Sequence, residues 1–179
     1  GFLILVQGTG ALAGFWLPAI APEVGESLGL SPSLIAYPVL ILYIFAMISS
    51  LMAGGFVARF GAWRASQAAL ILIGISHLMF MNGSLIFLAV GSIILGGAYG
   101  LLTPPASHLL SKIVTAKNRN LIFSIRFTGV PLGGILAGLL APSVALEYGW
   151  RESMLVTVVI SVVIAVAMQP LRKRWDSDR

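Results

Sequence analysis

The sequence predicts an all-α membrane protein with six transmembrane helices, and three observations carry that reading. Of 179 residues, 58% are hydrophobic and 9% charged, with a mean hydropathy of +0.99, too apolar for a surface that faces water. Residues 1–22, 27–58, 65–111, 127–146 and 153–171 carry no charge, and a spanning helix needs about 20 mostly apolar residues. The 65–111 run is long enough for two spans, with Asn82-Gly83-Ser84 as the turn between them. Third, the cations are sided. Arg59 and Arg64, then Lys112, Lys117 and Arg119, then Arg172, Lys173, Arg174 and Arg179 fall on one side of a six-helix layout. The other side carries Glu23, Glu26, Glu147 and Glu152, with Arg151 as its cation.

The helices are expected near 2–20, 33–58, 65–82, 84–112, 119–141 and 151–170, in one transmembrane domain over 1–171. Cation bias makes the basic side cytoplasmic, so both termini are expected inside a plasma (inner) membrane. The same sidedness accounts for the net charge of +5 without nucleic acid. Gly1 is read as a truncated N-terminus and residues 172–179 as the start of a cytoplasmic linker. With no cysteine, disulfides, thiolate metal sites and a cysteine nucleophile are excluded; no metal or cofactor is expected.

In the first helix Gln7, Thr9 and Trp16 sit among Gly8, Gly10 and Gly14, small residues that let helices approach closely in lipid. An amide at Gln7 requires a partner helix or a wet cavity, as packing group or substrate contact. Ser31-Pro32 opens the second helix as N-cap and first-turn proline. Its Ala46, Ser50, Gly54 and Ala58 recur every four residues, a stripe suited to helix contact. Tyr37 is expected as an interfacial anchor, Tyr43 as an anchor or cavity hydroxyl.

After the second helix comes Gly54-Gly-Phe-Val-Ala-Arg-Phe-Gly-Ala-Trp-Arg64. It resembles the cytoplasmic loop signature of the major facilitator superfamily, Gly-x-Leu-Ala-Asp-Arg-x-Gly-Arg-Arg, with Gly54, Arg59 and Gly61 matching. The acidic position is Ala58, so the family's charge network that holds the inward-closed state lacks its carboxylate here. His77, the one ionisable group expected inside the third helix, is read as packed and neutral. In the fourth, Gly96 and Gly100 form a small-xxx-small pair, while Pro104 and Pro105 remove two backbone donors and predict a kink. Ser107 and His108 follow one turn on; His108 is either a proton or anion contact or a helix-end residue bonded to a carbonyl. Many proton-coupled family members carry an arginine early in this helix, where Ser92 stands.

The fifth helix carries Arg126-Phe-Thr-Gly-Val-Pro-Leu-Gly-Gly134, a cation followed by a glycine-rich run. Arg126, Gly129, Val130, Gly133 and Ala137 share one helical face. Gly129, Pro131, Gly133 and Gly134 resemble the superfamily's fifth-helix motif, which implies a contact between two six-helix halves. Arg126 lies about 10 Å into its helix at 1.5 Å per residue, so it either snorkels or receives an anionic substrate. Tyr148-Gly-Trp-Arg151 before the sixth helix echoes Phe60-Gly-Ala-Trp-Arg64 before the third, the pattern of a 3+3 inverted repeat.

The resemblance implies the N-terminal half of a twelve-helix secondary transporter that moves a small solute by alternating access, its C-terminal six-helix half being a missing partner. It marks Gln7, Tyr43, Tyr99, Ser107, His108, Arg126 and Thr128 as candidate substrate contacts. Arg126 leads because it alone is permanently charged, and apart from Glu152 at the outer end of the sixth no expected span contains Asp or Glu, which together favour an organic or inorganic anion. Efflux of hydrophobic or drug-like compounds and a non-transporting six-helix scaffold are the alternatives. An enzyme is not expected: Ser107 and His108 point about 100° apart on a helix, with no acidic group to orient the histidine.

Overall fold

The computed structural model describes residues 2–111, 114–115 and 117–171. Their regular structure is helical throughout: α1 (Phe2–Ala19), α2 (Ala21–Leu28), α3 (Pro32–Phe60), α4 (Ala62–Phe80), α5 (Leu85–Gly100), α6 (Thr103–Ser111), α7 (Arg119–Phe127), α8 (Gly129–Tyr148), α9 (Trp150–Ala167) and a 3-10 turn at Gln169–Leu171. Five segments are long and apolar enough to cross a bilayer: Phe2–Ala19, Ser33–Phe60, Leu85–Leu110, Arg119–Tyr148 and Trp150–Ala167. The third expected span, 65–82, falls on α4, which has spanning length at 19 residues. Arg64, Gln67 and His77 make it less apolar than the other five.

The expected boundaries shift where proline and glycine act differently from their average. The helix expected over 84–112 is divided at Leu101–Leu102, because Pro104 and Pro105 supply no N–H for the carbonyls four residues back. Both prolines fall in the first turn of α6, where that N–H has no helical partner anyway. Pro131 likewise leaves the Phe127 carbonyl without its donor, and α7 gives way to α8 at Thr128. The helix expected to stop at 141 runs on to Tyr148. Its terminator is Gly149 at φ 98°, not Pro142, which sits inside the helix. The amphipathic α2 was not expected; Gly29 at φ 63° closes it, a conformation that only glycine adopts cheaply. The expected linker, 172–179, and Lys112 lie outside the described residues.

Two glycine seams set the packing. At α1 and α8, a Cβ added to Gly129 would meet the Ile4 carbonyl oxygen at 2.7 Å and the Gly8 nitrogen at 3.1 Å. One added to Gly133 would collide with the Gly8 carbonyl oxygen and stand 2.8 Å from Ala11 Cβ. At α3 and α5, added Cβ atoms on Gly96 and Gly100 would run into the Leu42 and Ala46 carbonyl oxygens. In both seams helix backbones touch, which replaces the hydrophobic drive that lipid does not supply. The expected stripe on α3 is thus half used: Ala46 and Ser50 meet α5, whereas Gly54 has nothing within 4 Å.

The α4 helix lies against α5 and α9, and its contact with α9 is partly polar. Trp63 Nε1 donates to the Met168 carbonyl at 2.8 Å and Gln67 Nε2 to the Ala165 carbonyl at 2.9 Å. Trp16 of α1 reaches Ser153 of α9 at 3.2 Å. His77 is fully buried, its Nδ1 lying 3.1 Å from the Ile73 carbonyl and its ring edge-on to Phe80. Gly61 (φ 89°, ψ 151°) and Gly149 (φ 98°, ψ 151°) have nearly the same backbone, and each ends one helix and begins the next.

Backbone contact leaves no room for a methyl group. Gly133→Ala should destabilise the detergent-solubilised protein by about 1–3 kcal/mol, read as a lower melting temperature. Gly138→Ala on the same helix, with nothing within 4 Å of its added Cβ, should leave it unchanged. Equal melting of the two variants would contradict the seam.

Candidate functional site

The α1–α8 seam decides where Arg126 goes. Pressing Gly129 onto Ile4 and Gly8 carries the last turn of α7 against α1, and Arg126 meets Gln7. The guanidinium is 2% exposed, enclosed by α1, α6 and its own helix. Its Nη2 donates to Gln7 Oε1 at 2.8 Å and to the Thr103 carbonyl at 3.4 Å. Its Nη1 donates to Ser107 Oγ at 3.2 Å, and the ring of Phe127 lies 4.9 Å from Arg126 Cζ. Nε is buried and makes no hydrogen bond.

None of these acceptors carries a negative charge. An ion in a low-dielectric interior is costly unless paired; here an amide, a hydroxyl and a carbonyl take the place of a counter-ion. Hydrogen bonds to a charged group are worth about 1.5–3 kcal/mol each, enough to hold the side chain but not to neutralise it. Both helix breaks border the site, one just before Thr103 and the other two residues beyond Arg126, as expected where backbone leaves helical geometry at membrane depth. The arrangement suits an oxyanion: a fixed cation, polar neighbours and an unused N–H.

Of the seven expected contacts, the structure brings together Gln7, Ser107 and Arg126. Tyr43 and Tyr99 form a second group, ring centroids 6.2 Å apart and edge to face. Tyr99 packs over Gly14, where an added Cβ would stand 3.2 Å from its ring. Gly14 lies two turns along α1 from Gln7, about 10 Å at 1.5 Å per residue. Thr128 belongs to neither group. It is exposed, and its hydroxyl donates back to the Ile125 carbonyl at 2.6 Å. His108 is exposed one residue beyond Ser107. The backbone acceptor at Thr103 was not anticipated, and Pro104 and Pro105 do not signal it, because the carbonyls they leave without donors are those of Gly100 and Leu101.

The expected packing residues also divide. Gly129 and Gly133 oppose α1, and Gly134 lies beside Phe15 of α1, 3.5 Å from its ring for an added Cβ. These glycines therefore serve a contact inside this bundle, where the resemblance implied one between halves. Pro131 is exposed and acts through the donor it lacks. Gly61 makes the α3–α4 corner, and Arg59 lies exposed over Phe60 at 5.4 Å. Among the described residues no group of His, Asp or Glu could hold a metal ion.

A gallate transporter of Pseudomonas putida is 28% identical over 142 residues, 76% of this chain and 30% of the relative. A peptide transporter solved with alafosfalin superposes with a TM-score of 0.82 at 23% identity, covering 97% of this chain and 38% of that one. The same type of transporter solved with sulfate gives 0.78 at 24% identity, over 97% and 37%. This chain therefore spans between a third and two-fifths of the length of those solved structures. The sequence profile of the Major Facilitator Superfamily matches residues 3–178, so the bundle that buries Arg126 belongs to that superfamily.

Proposed function

We propose that this chain is the N-terminal six-helix half of a secondary transporter that moves a small anion by alternating access, with Arg126 as the substrate's counter-charge. The observation that carries the reading is a guanidinium at 2% exposure whose protein partners are all neutral. Permanent charge with no counter-ion among the described residues is a deficit that an anionic substrate or an acidic group of the other half would fill. Gallate, the cargo named for the Pseudomonas putida relative, is an aromatic carboxylate. Such a molecule could set its carboxylate on Arg126 and its ring towards the Tyr43–Tyr99 pair.

A 3+3 inverted repeat is supported by the matching conformations of Gly61 and Gly149 and by the paired seams, α1 with α8 and α3 with α5. Exchanging the two three-helix groups carries one seam into the other. The remaining six-helix half is the natural cover for the exposed face of α3, where Tyr43, Met47, Leu51 and Met52 stand open. An apolar groove beside α3, of about 590 Å³ and lined by Phe45, Ile48, Met52, Phe56 and Phe60 among others, favours a second reading, efflux of hydrophobic compounds.

In proteoliposomes holding the full-length protein, Arg126→Ala should abolish saturable uptake of labelled gallate and benzoate while membrane insertion stays normal, and Arg126→Lys should retain part of it. Unchanged uptake in Arg126→Ala would remove the anion assignment, and rescue of drug sensitivity by the wild type without anion uptake would select efflux. These 179 residues hold no cysteine, so once any cysteine elsewhere in the full-length protein is replaced, sidedness can be tested directly. Lys117→Cys should label with a membrane-impermeant maleimide only from the cytoplasm, and Glu26→Cys only from outside; reversed labelling would overturn the orientation.

A further inference from the structure

The planar guanidinium of Arg126 has one edge formed by Nε–H and an Nη2–H. Nη2 donates to two acceptors, Gln7 Oε1 at 2.8 Å and the Thr103 carbonyl at 3.4 Å, while the Nε end of that edge is buried with no partner. A single amide oxygen is doing half of what a carboxylate does when it binds arginine through two parallel hydrogen bonds. The other edge is already engaged, with Ser107 on Nη1. The oxygen of Gln7 is the atom facing the cation, since its NH₂ group would be repelled there. At 2% exposure, Arg126 cannot pair with an incoming anion along that edge until an acceptor on Nη2 moves aside, and of the two Gln7 is the side chain, whereas Thr103 offers a backbone carbonyl.

We infer that Gln7 is a one-oxygen placeholder on Arg126, displaced by the two oxygens of a substrate carboxylate during binding. The inference rests on the anion reading and adds a specificity device to it. A carboxylate gains both donors of the edge and satisfies the idle Nε–H. An ester, an amide or an alcohol offers one suitable acceptor and only reproduces what Gln7 already provides. Displacement also unties α7 from α1 at the level of the charge, because the Gln7 bond is the direct polar link between Arg126 and α1; the links to Thr103 and Ser107 run to α6. Gln7 is thus a positioning residue whose bond competes with substrate.

Competition gives a sign that no packing role would produce. Gln7→Leu removes the competing oxygen and should lower KM for labelled gallate or benzoate in proteoliposomes of the full-length protein, roughly tenfold for the loss of one hydrogen bond to a charged group. Gln7→Glu supplies both oxygens from within and should raise KM at least as far, with the melting temperature equal to or above that of wild type. Wild type should take up benzoate but neither its methyl ester nor benzamide. If Gln7→Leu fails to fold, Gln7→Met carries the same expectation. A raised KM in the leucine or methionine variant makes Gln7 a direct substrate contact and overturns the placeholder; so does a fall in kcat with KM unchanged in both the apolar and glutamate variants. Those results leave the anion reading standing as long as Arg126→Ala abolishes uptake. Absence of saturable carboxylate uptake by wild type, or unchanged uptake in Arg126→Ala, overturns the anion reading and the placeholder together.

Discussion

Backbone contact between α1 and α8 is the constraint from which the site follows. Gly8, Gly129 and Gly133 let two helices meet with carbonyl oxygens against α-carbons, closer than any side chain would permit. In lipid, where apolar side chains gain little by leaving a solvent as apolar as themselves, such contact is a principal source of helix association. It also fixes distances. Arg126 stands one helical turn below Gly129, and Gln7 stands next to Gly8, so the seam that joins the helices also delivers the amide to the guanidinium. The same seam brings Gly134 of α8 beside the Phe15 ring of α1.

Once Arg126 is committed to that depth, the surrounding irregularities acquire a physical reason. Two helices break beside it, at Leu101–Leu102 and at Thr128, each because proline withholds a donor. Breaks of this kind are tolerated inside a membrane only where they face protein or a polar cavity. The side chain recruits a carbonyl, a hydroxyl and an amide, which stabilise positive charge by dipoles without cancelling it. A full internal ion pair would be a closed system. The dipoles around Arg126 leave its charge without a counter-ion among the described residues.

The buried arginine was legible as a phase before it was visible as a site. Arg126, Gly129, Gly133 and Ala137 recur at helical spacing, and all four are buried. Periodicity said that this face packs closely against a neighbour; it did not say which one. Resemblance to a family motif pointed to the other half of a larger protein, yet α1 is the neighbour. The end of α3 beside Gly61 was legible to within a few residues, but the end of α8 at Gly149 was not, and the effect of proline depends on its place in the turn. Pro104 and Pro105 open a helix, Pro131 divides one, and Pro142 is absorbed into one.

By itself the sequence determined the apolar solvent this protein inhabits and the cation set deepest within an expected span. These are properties of composition and spacing, and each residue carries them wherever the chain folds. Tertiary structure alone decided that Gln7, Ser107 and the Thr103 carbonyl converge on Arg126, while Tyr43 and Tyr99 pair elsewhere and Thr128 bonds back to its own helix. Gln7 and Arg126 are separated by 119 positions. No local pattern encodes a meeting that far along the chain, because it is set by how closely two helix backbones pack.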